Sequence, residues 1–118
     1  MCPEHLKRFD ICVVCAPSEI KNLGGFFAKD RPWVILDEHV SSTGVRTRLA
    51  APLTTSPPDG YRHVGVQHSR GVSTLVLDQI QAIRIGWFKS RRGRLSELSV
   101  PEVERLLGTG VLFKKLQY

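Results

Sequence analysis

Four sets of side chains in this chain have types and spacing that suit chemistry. Cys12 and Cys15 form a Cys-x-x-Cys pair, a spacing used by zinc and thiol sites. No second such pair and no His-x-x-x-His completes a four-ligand set, and the pair lies inside the apolar run 11–16. It reads as two small apolar residues buried in a strand, so no metal or cofactor is expected. Arg31 precedes Pro32 at the head of a second apolar run. A guanidinium is always charged and its planar fork can grip two phosphate oxygens, although an Arg in that place also serves as plain surface charge. Thr54 and Thr55 close a third run; their hydroxyls can donate to a phosphate oxygen or cap the turn before Pro57 and Pro58. His63 and His68 could serve as bases, but on an alternating strand a His is more often simply exposed.

Charge narrows the partner. The net charge of the 118 residues is +6. Residues 1–38 carry five Lys/Arg against six Asp/Glu, residues 39–94 nine against two, and residues 95–118 three against three. The excess sits in one middle segment, as expected of a surface that meets a polyanion. Arg46, Arg48, Arg62, Arg84, Lys89, Arg91, Arg92 and Arg94 are the candidates for phosphate tracking. Trp33, Tyr61, Trp87 and Phe88 offer stacking faces; Trp33 lies within a run that should be core or dimer interface, so Trp87-Phe88 is the better candidate. No run approaches the roughly 18 apolar residues of a membrane span, and residues 1–8 lack an apolar signal core, which points to a cytoplasmic protein.

These groups must be positioned by short strands. The runs 9–16, 32–37, 46–53, 61–66, 72–77 and 80–85 read as strands, with Pro52 marking an edge or an end. Segment 17–30 reads as a loop with Gly24-Gly25, and 89–94 as a basic loop, since its charges follow neither helix nor strand period. One helix is signalled near the end: Ser99-Val100-Pro101-Glu102 has the form of a capping box, Val103, Leu106 and Leu107 give an apolar stripe, and Gly108 a stop. Residues 111–113 read as a last strand or a further helical turn. The whole, residues 1–118, suggests a single mainly β domain, a small antiparallel barrel with a C-terminal α-helix.

Four segments in order resemble the MazF/PemK toxin family: Gly24-Gly25 leading to Arg31-Pro32-Trp33-Val34-Ile35-Leu36; Pro52-Leu53-Thr54-Thr55; Leu77-Asp78-Gln79-Ile80-Gln81-Ala82-Ile83; and Gly93-Arg94-Leu95-Ser96 running into the helix. The resemblance spans about residues 9–107. It implies an SH3-like barrel of the CcdB/PemK (MazF) type and the toxin of a type II toxin-antitoxin pair. It further implies a sequence-selective, metal-independent endoribonuclease that works as a homodimer on single-stranded RNA and is restrained by an acidic antitoxin.

On that resemblance Arg31 and Thr54 are the catalytic candidates, and Thr55, Asp78 and Gln79 catalytic or RNA-binding ones; Asp78-Gln79 would otherwise be a structural pair buried beside a β-bulge. Two departures stand out. Many members read Gly-x-Glu-Gln-x-Gly where this chain has Gly25-Phe26-Phe27-Ala28-Lys29-Asp30, and some carry Arg at the position of Val76. Roles held by those groups do not transfer, and no general base is identified. Two other functions share the pattern: a CcdB-like poison of DNA gyrase, which needs neither Arg-Pro nor Thr-Thr, and an inactive RNA-binding module.

Overall fold

The computed structural model describes residues 6–40, 44–60 and 62–108. Among them the chain forms β1 (Asp10–Val14), α1 (Ser18–Lys21), β2 (Arg31–Val40), β3 (Arg46–Thr54), β4 (His63–His68), β5 (Gly71–Val76), β6 (Gln81–Arg84), β7 (Phe88–Arg94) and α2 (Val100–Leu107). Every pairing is antiparallel, in the order β4-β5-β3-β2-β1-β7 with β6 also on β3. This is the mainly antiparallel β fold with a C-terminal helix that the sequence implies. Continuous barrel closure is not seen among the described residues: the two outer strands approach through one His68–Leu95 bridge and the bond from Ser96 N–H to the Gln67 carbonyl.

The unbroken run Trp33–Leu36 makes sense because β2 is covered on both faces. Trp33 and Ile35 join a cluster with Cys12, Val14, Ala50, Ile83 and Phe88. Val34 and Leu36 point the other way, to Ile11, Leu53, Val66, Leu75 and the α2 residues Val103 and Leu107. Each fully buried aliphatic or aromatic side chain contributes roughly 1.5–3 kcal/mol, so both faces hold the strand in place. The alternation then dictates direction: Arg31 shares a face with Trp33, and Pro32 with Val34.

β2 and β3 run together as far as Trp33 opposite Pro52 and then part. Beyond that pair β2 continues along β1, with Val14 opposite Arg31, while β3 turns to β5, with Leu53 opposite Leu75 and Thr54 opposite Thr74. Pro52 therefore sits within a central strand, not at an edge; it falls where the ladder to β2 ends and, on the other edge, between the segments bonded to β6 and to β5, a place at which a lost ladder bond matters least.

Three other expectations are corrected. Segment 17–30 is not irregular throughout: it holds the single turn α1 and a 3-10 turn at Gly25–Phe27. Residues 89–94 are a strand, not a loop. β7 is anchored by buried Phe88 and lies at the edge of the sheet, where charged side chains are tolerated and guard the open backbone. Its charges are matched from afar. The Asp10 carboxylate, 3% exposed, accepts from Arg94 Nη1 at 2.8 Å and lies 3.4 Å from Arg91 Nε. The capping box also does not form: Ser99 precedes α2 without capping it, and its hydroxyl instead accepts the Gln67 N–H at 2.8 Å. Glu102 pairs with Arg105. Residues 111–113 and Tyr61 lie outside the described residues.

A bulge between β1 and β7 rests on Gly93, whose φ of 107° is left-handed and where a Cβ would come within 2.9 Å of Ser69 Oγ. Gly93→Ala is expected to cost about 1–3 kcal/mol through that strain. Thermal melts of the variant and parent check this; equal midpoints would show that the bulge relaxes freely.

Candidate functional site

The parting of β2 and β3 creates the site. Continuing their register two residues past Trp33 and Pro52 reaches Arg31 and Thr54, so the two residues lie at neighbouring strand ends on the same face of the sheet. Arg31 is directed by the loop before it. Its guanidinium carbon lies 4.9 Å from the centre of the Phe26 ring, a cation–π contact worth about 0.5–2 kcal/mol. Phe27 stacks on Trp33 at 5.0 Å and meets Trp87 edge-on at 5.8 Å. Asp30, next to Arg31, is tied back to α1 by Lys21 at 2.9 Å. That bond holds the Asp30 carboxyl below the usual carboxylate range and raises the Lys21 ammonium. Among the described residues no carboxylate pairs with Arg31, and its Nε–H, like the indole N–H of Trp33, has no hydrogen-bond partner.

Thr54 is set by the turn after β3. Its Oγ1 accepts the Ser56 N–H at 3.2 Å, and Thr74 Oγ1 donates to the Ser56 carbonyl at 2.6 Å. An oxygen that already accepts one bond still has its own proton to donate. The site thus presents a fixed, uncompensated guanidinium and a hydroxyl donor on one face of the sheet. Thr55 is exposed beside them.

The other candidates scatter. Asp78 and Gln79 lie exposed on a 3-10 turn between β5 and β6, not buried at a bulge, and Asp78 is 3.5 Å from His63 Nε2. Among the described residues no hydrogen bond or ion pair joins them to Arg31 or Thr54. The Nδ1 of His63 accepts the Asp59 N–H at 3.1 Å. Arg46 and Arg84 stand at the opposite end of β3, eight residues or roughly 26 Å from Thr54. Arg48 is buried at 3% exposure, its Nη1 donates to the Thr47 carbonyl, and it lines a cavity with Lys7, Arg8 and Asp37 away from Thr54. Arg62 is half-buried near Asp59 and Asp78. Arg91 and Arg94 are drawn to Asp10, which leaves Lys89 and Arg92 as the cations of β7 outside that ion pairing. Phe88 is core; Trp87, half-buried, keeps part of a face.

Phe26, Thr74 and Ser56 were not foreseen. Loop aromatics give no periodic signal, and the hydroxyl relay joins residues 18 positions apart.

A sequence model for the PemK-like, MazF-like toxins of type II toxin-antitoxin systems matches residues 7–110. The chain belongs to that family. Comparison with individual characterised proteins gives no match. As a PemK/MazF-like toxin it pairs in kind with an antitoxin, and among its described residues no helix is long and apolar enough to cross a membrane.

Cys12 and Cys15 stay free, Cys12 buried and Cys15 half-buried. Burial pushes the Cys12 thiol up to about 11, so it stays protonated and unreactive near neutrality. Cys12 in the folded toxin is expected to resist iodoacetamide at mildly alkaline pH and to be labelled only in denaturant, as read by peptide mapping. Equal labelling in both states would remove it from the core.

Proposed function

We propose that this PemK/MazF-like toxin is a sequence-selective endoribonuclease that cuts single-stranded RNA without a metal, acting as a homodimer and silenced by an acidic antitoxin. One observation carries the proposal: Arg31, unpaired with any carboxylate among the described residues, and Thr54, with a proton to donate, stand on one face at the neighbouring ends of β2 and β3. In this reading the 2′-hydroxyl next to the scissile phosphate attacks phosphorus. The 2′-oxygen gives up its proton to solvent as it bonds phosphorus, and the bond to the 5′-oxygen breaks as that oxygen takes a proton from solvent, leaving a 2′,3′-cyclic phosphate and a 5′-hydroxyl. Arg31 holds the non-bridging oxygens as charge builds on them, and Thr54 donates to the same phosphate. Lys89 and Arg92 on β7, which reaches Val14 opposite Arg31, extend positive charge along the strand. Thr55, Asp78 and Gln79 remain candidate RNA contacts in this proposal.

A second reading, an RNA-binding protein without catalysis, is favoured by the absence among the described residues of a His or carboxylate bonded to Arg31 or Thr54. Nothing in the site recommends a gyrase poison.

Arg31→Ala is expected to lower the cleavage rate by about 10²–10³-fold with the fold intact, the usual loss when a transition-state donor is removed. Thr54→Val should cost about tenfold, one hydrogen bond, and more than Thr55→Val. Gel assays of a long single-stranded RNA, with circular dichroism as the folding check, decide this; a folded Arg31→Ala variant that cuts normally would discard the assignment.

Cleavage should also persist in EDTA. Loss on chelation with return on adding Mg²⁺ would replace this mechanism with a metal-dependent one.

A further inference from the structure

Pro32 and Leu53, the chain neighbours of Arg31 and Thr54, line a cavity of about 240 Å³ where β2 and β3 part, on the face opposite Arg31. That volume is below the range of drug-sized pockets and suits a single base. The floor is aliphatic, continued by Val13. The rim carries His68, Arg70, Ser73 and Arg92.

The rim is organised. His68 Nε2 lies 2.8 Å from Ser73 Oγ, and Nδ1 of the same ring accepts the Arg70 backbone N–H at 3.2 Å. With Nδ1 accepting, the neutral ring has its proton on Nε2 and donates to Ser73. The serine oxygen is thereby engaged, and its own proton is left for a ligand. Among the described residues the guanidiniums of Arg70 and Arg92 make no hydrogen bond or ion pair, in contrast to Arg91 and Arg94 beside them.

An aliphatic slot, one oriented hydroxyl donor and two uncompensated guanidiniums match a flat heterocycle that bears a phosphate. We infer that this cavity receives one nucleotide of the bound RNA. Its base lies on Pro32, Val13 and Leu53, a base carbonyl accepts from Ser73, and its phosphate sits between Arg70 and Arg92. The inference rests on the RNA-cleavage reading and adds a selective element to it. Uracil, cytosine and guanine carry a carbonyl oxygen; adenine does not. An acidic peptide is the rival occupant, and titration separates the two.

The test needs no cleavage. The toxin is titrated with UMP, CMP, GMP, AMP and inorganic phosphate while backbone amide shifts are followed by NMR. UMP, CMP and GMP should shift the amides of Arg70, Ser73 and Arg92 and bind about tenfold or more tightly than AMP or phosphate. Arg70→Ala/Arg92→Ala should weaken them about tenfold or more. Ser73→Ala should bring UMP down to the AMP level. Shifts that map elsewhere, equal affinity for phosphate and UMP, or indifference to these variants would overturn the inference. So would an acidic peptide that shifts the same amides more strongly than any nucleotide, assigning the cavity to a protein partner. A toxin that cuts RNA yet fails this titration loses the cavity and keeps Arg31 and Thr54. One that binds nucleotides here but never cuts RNA keeps the cavity and loses the catalytic reading.

Discussion

The antiparallel register that sets Trp33 opposite Pro52 is the constraint on which the site depends. Trp33 is 1% exposed and stacked on Phe27, so it cannot move to the other face without giving up a large buried area. A slip of one residue would send every β2 side chain to the opposite face. Burial of Trp33 therefore decides where Arg31 points, and burial of Val34 and Leu36 on the other side removes the remaining freedom. The ladder between β2 and β3 ends at this pair, while on its other edge β3 goes on to bond β5 and β2 goes on to bond β1, so Arg31 and Thr54 stand at strand ends just past the last bonded pair.

A second constraint acts on charge. A protein of net charge +6 that gathers arginines on an edge strand risks repulsion within that strand. Asp10 relieves it. The carboxylate is buried, accepts the Lys7 N–H at 2.8 Å and draws in Arg91 and Arg94. An ionised group so enclosed is tolerated because each partner satisfies it, whereas an unpaired one would cost several kcal/mol. The basic cluster thus divides by role. Two arginines hold the first strand to the last, and the charge left to meet an anion is narrower than a count of Lys and Arg suggests.

What could be read from the sequence follows the same logic. Strands carried by local apolar pattern, such as β1 and the first half of β2, were legible, as was α2 with Val103 and Leu107 four residues apart. Arg31 and Thr54 were singled out by the resemblance alone, and their places at neighbouring strand ends come from the register. The illegible parts depend on partners distant in the chain. β7 is charged and Gly-containing, and its strand character comes from β1, about 80 residues earlier. Arg48 sits in an alternating stretch like its exposed neighbours, and only the second layer of core shows that it is buried. Ser99 has the type and place of a cap, yet a strand amide 32 residues away takes its oxygen.

The loop departure can now be given physical content. Phe27 and Ala28 stand where many family members carry Glu and Gln, and Phe26 lies against the Arg31 guanidinium. Phe26, at the variable position just before, orients Arg31 through the ring quadrupole and leaves its positive charge whole. The exchange also turns the underside of the site from polar to apolar, with Phe27, Trp33 and Trp87 in mutual contact, which lowers the local dielectric and strengthens the field Arg31 exerts on a bound phosphate. What is lost is a nearby proton acceptor. In the proposed cleavage such a site would act by stabilising charge as it develops on phosphorus, which weights the proposal toward electrostatics over general-base assistance.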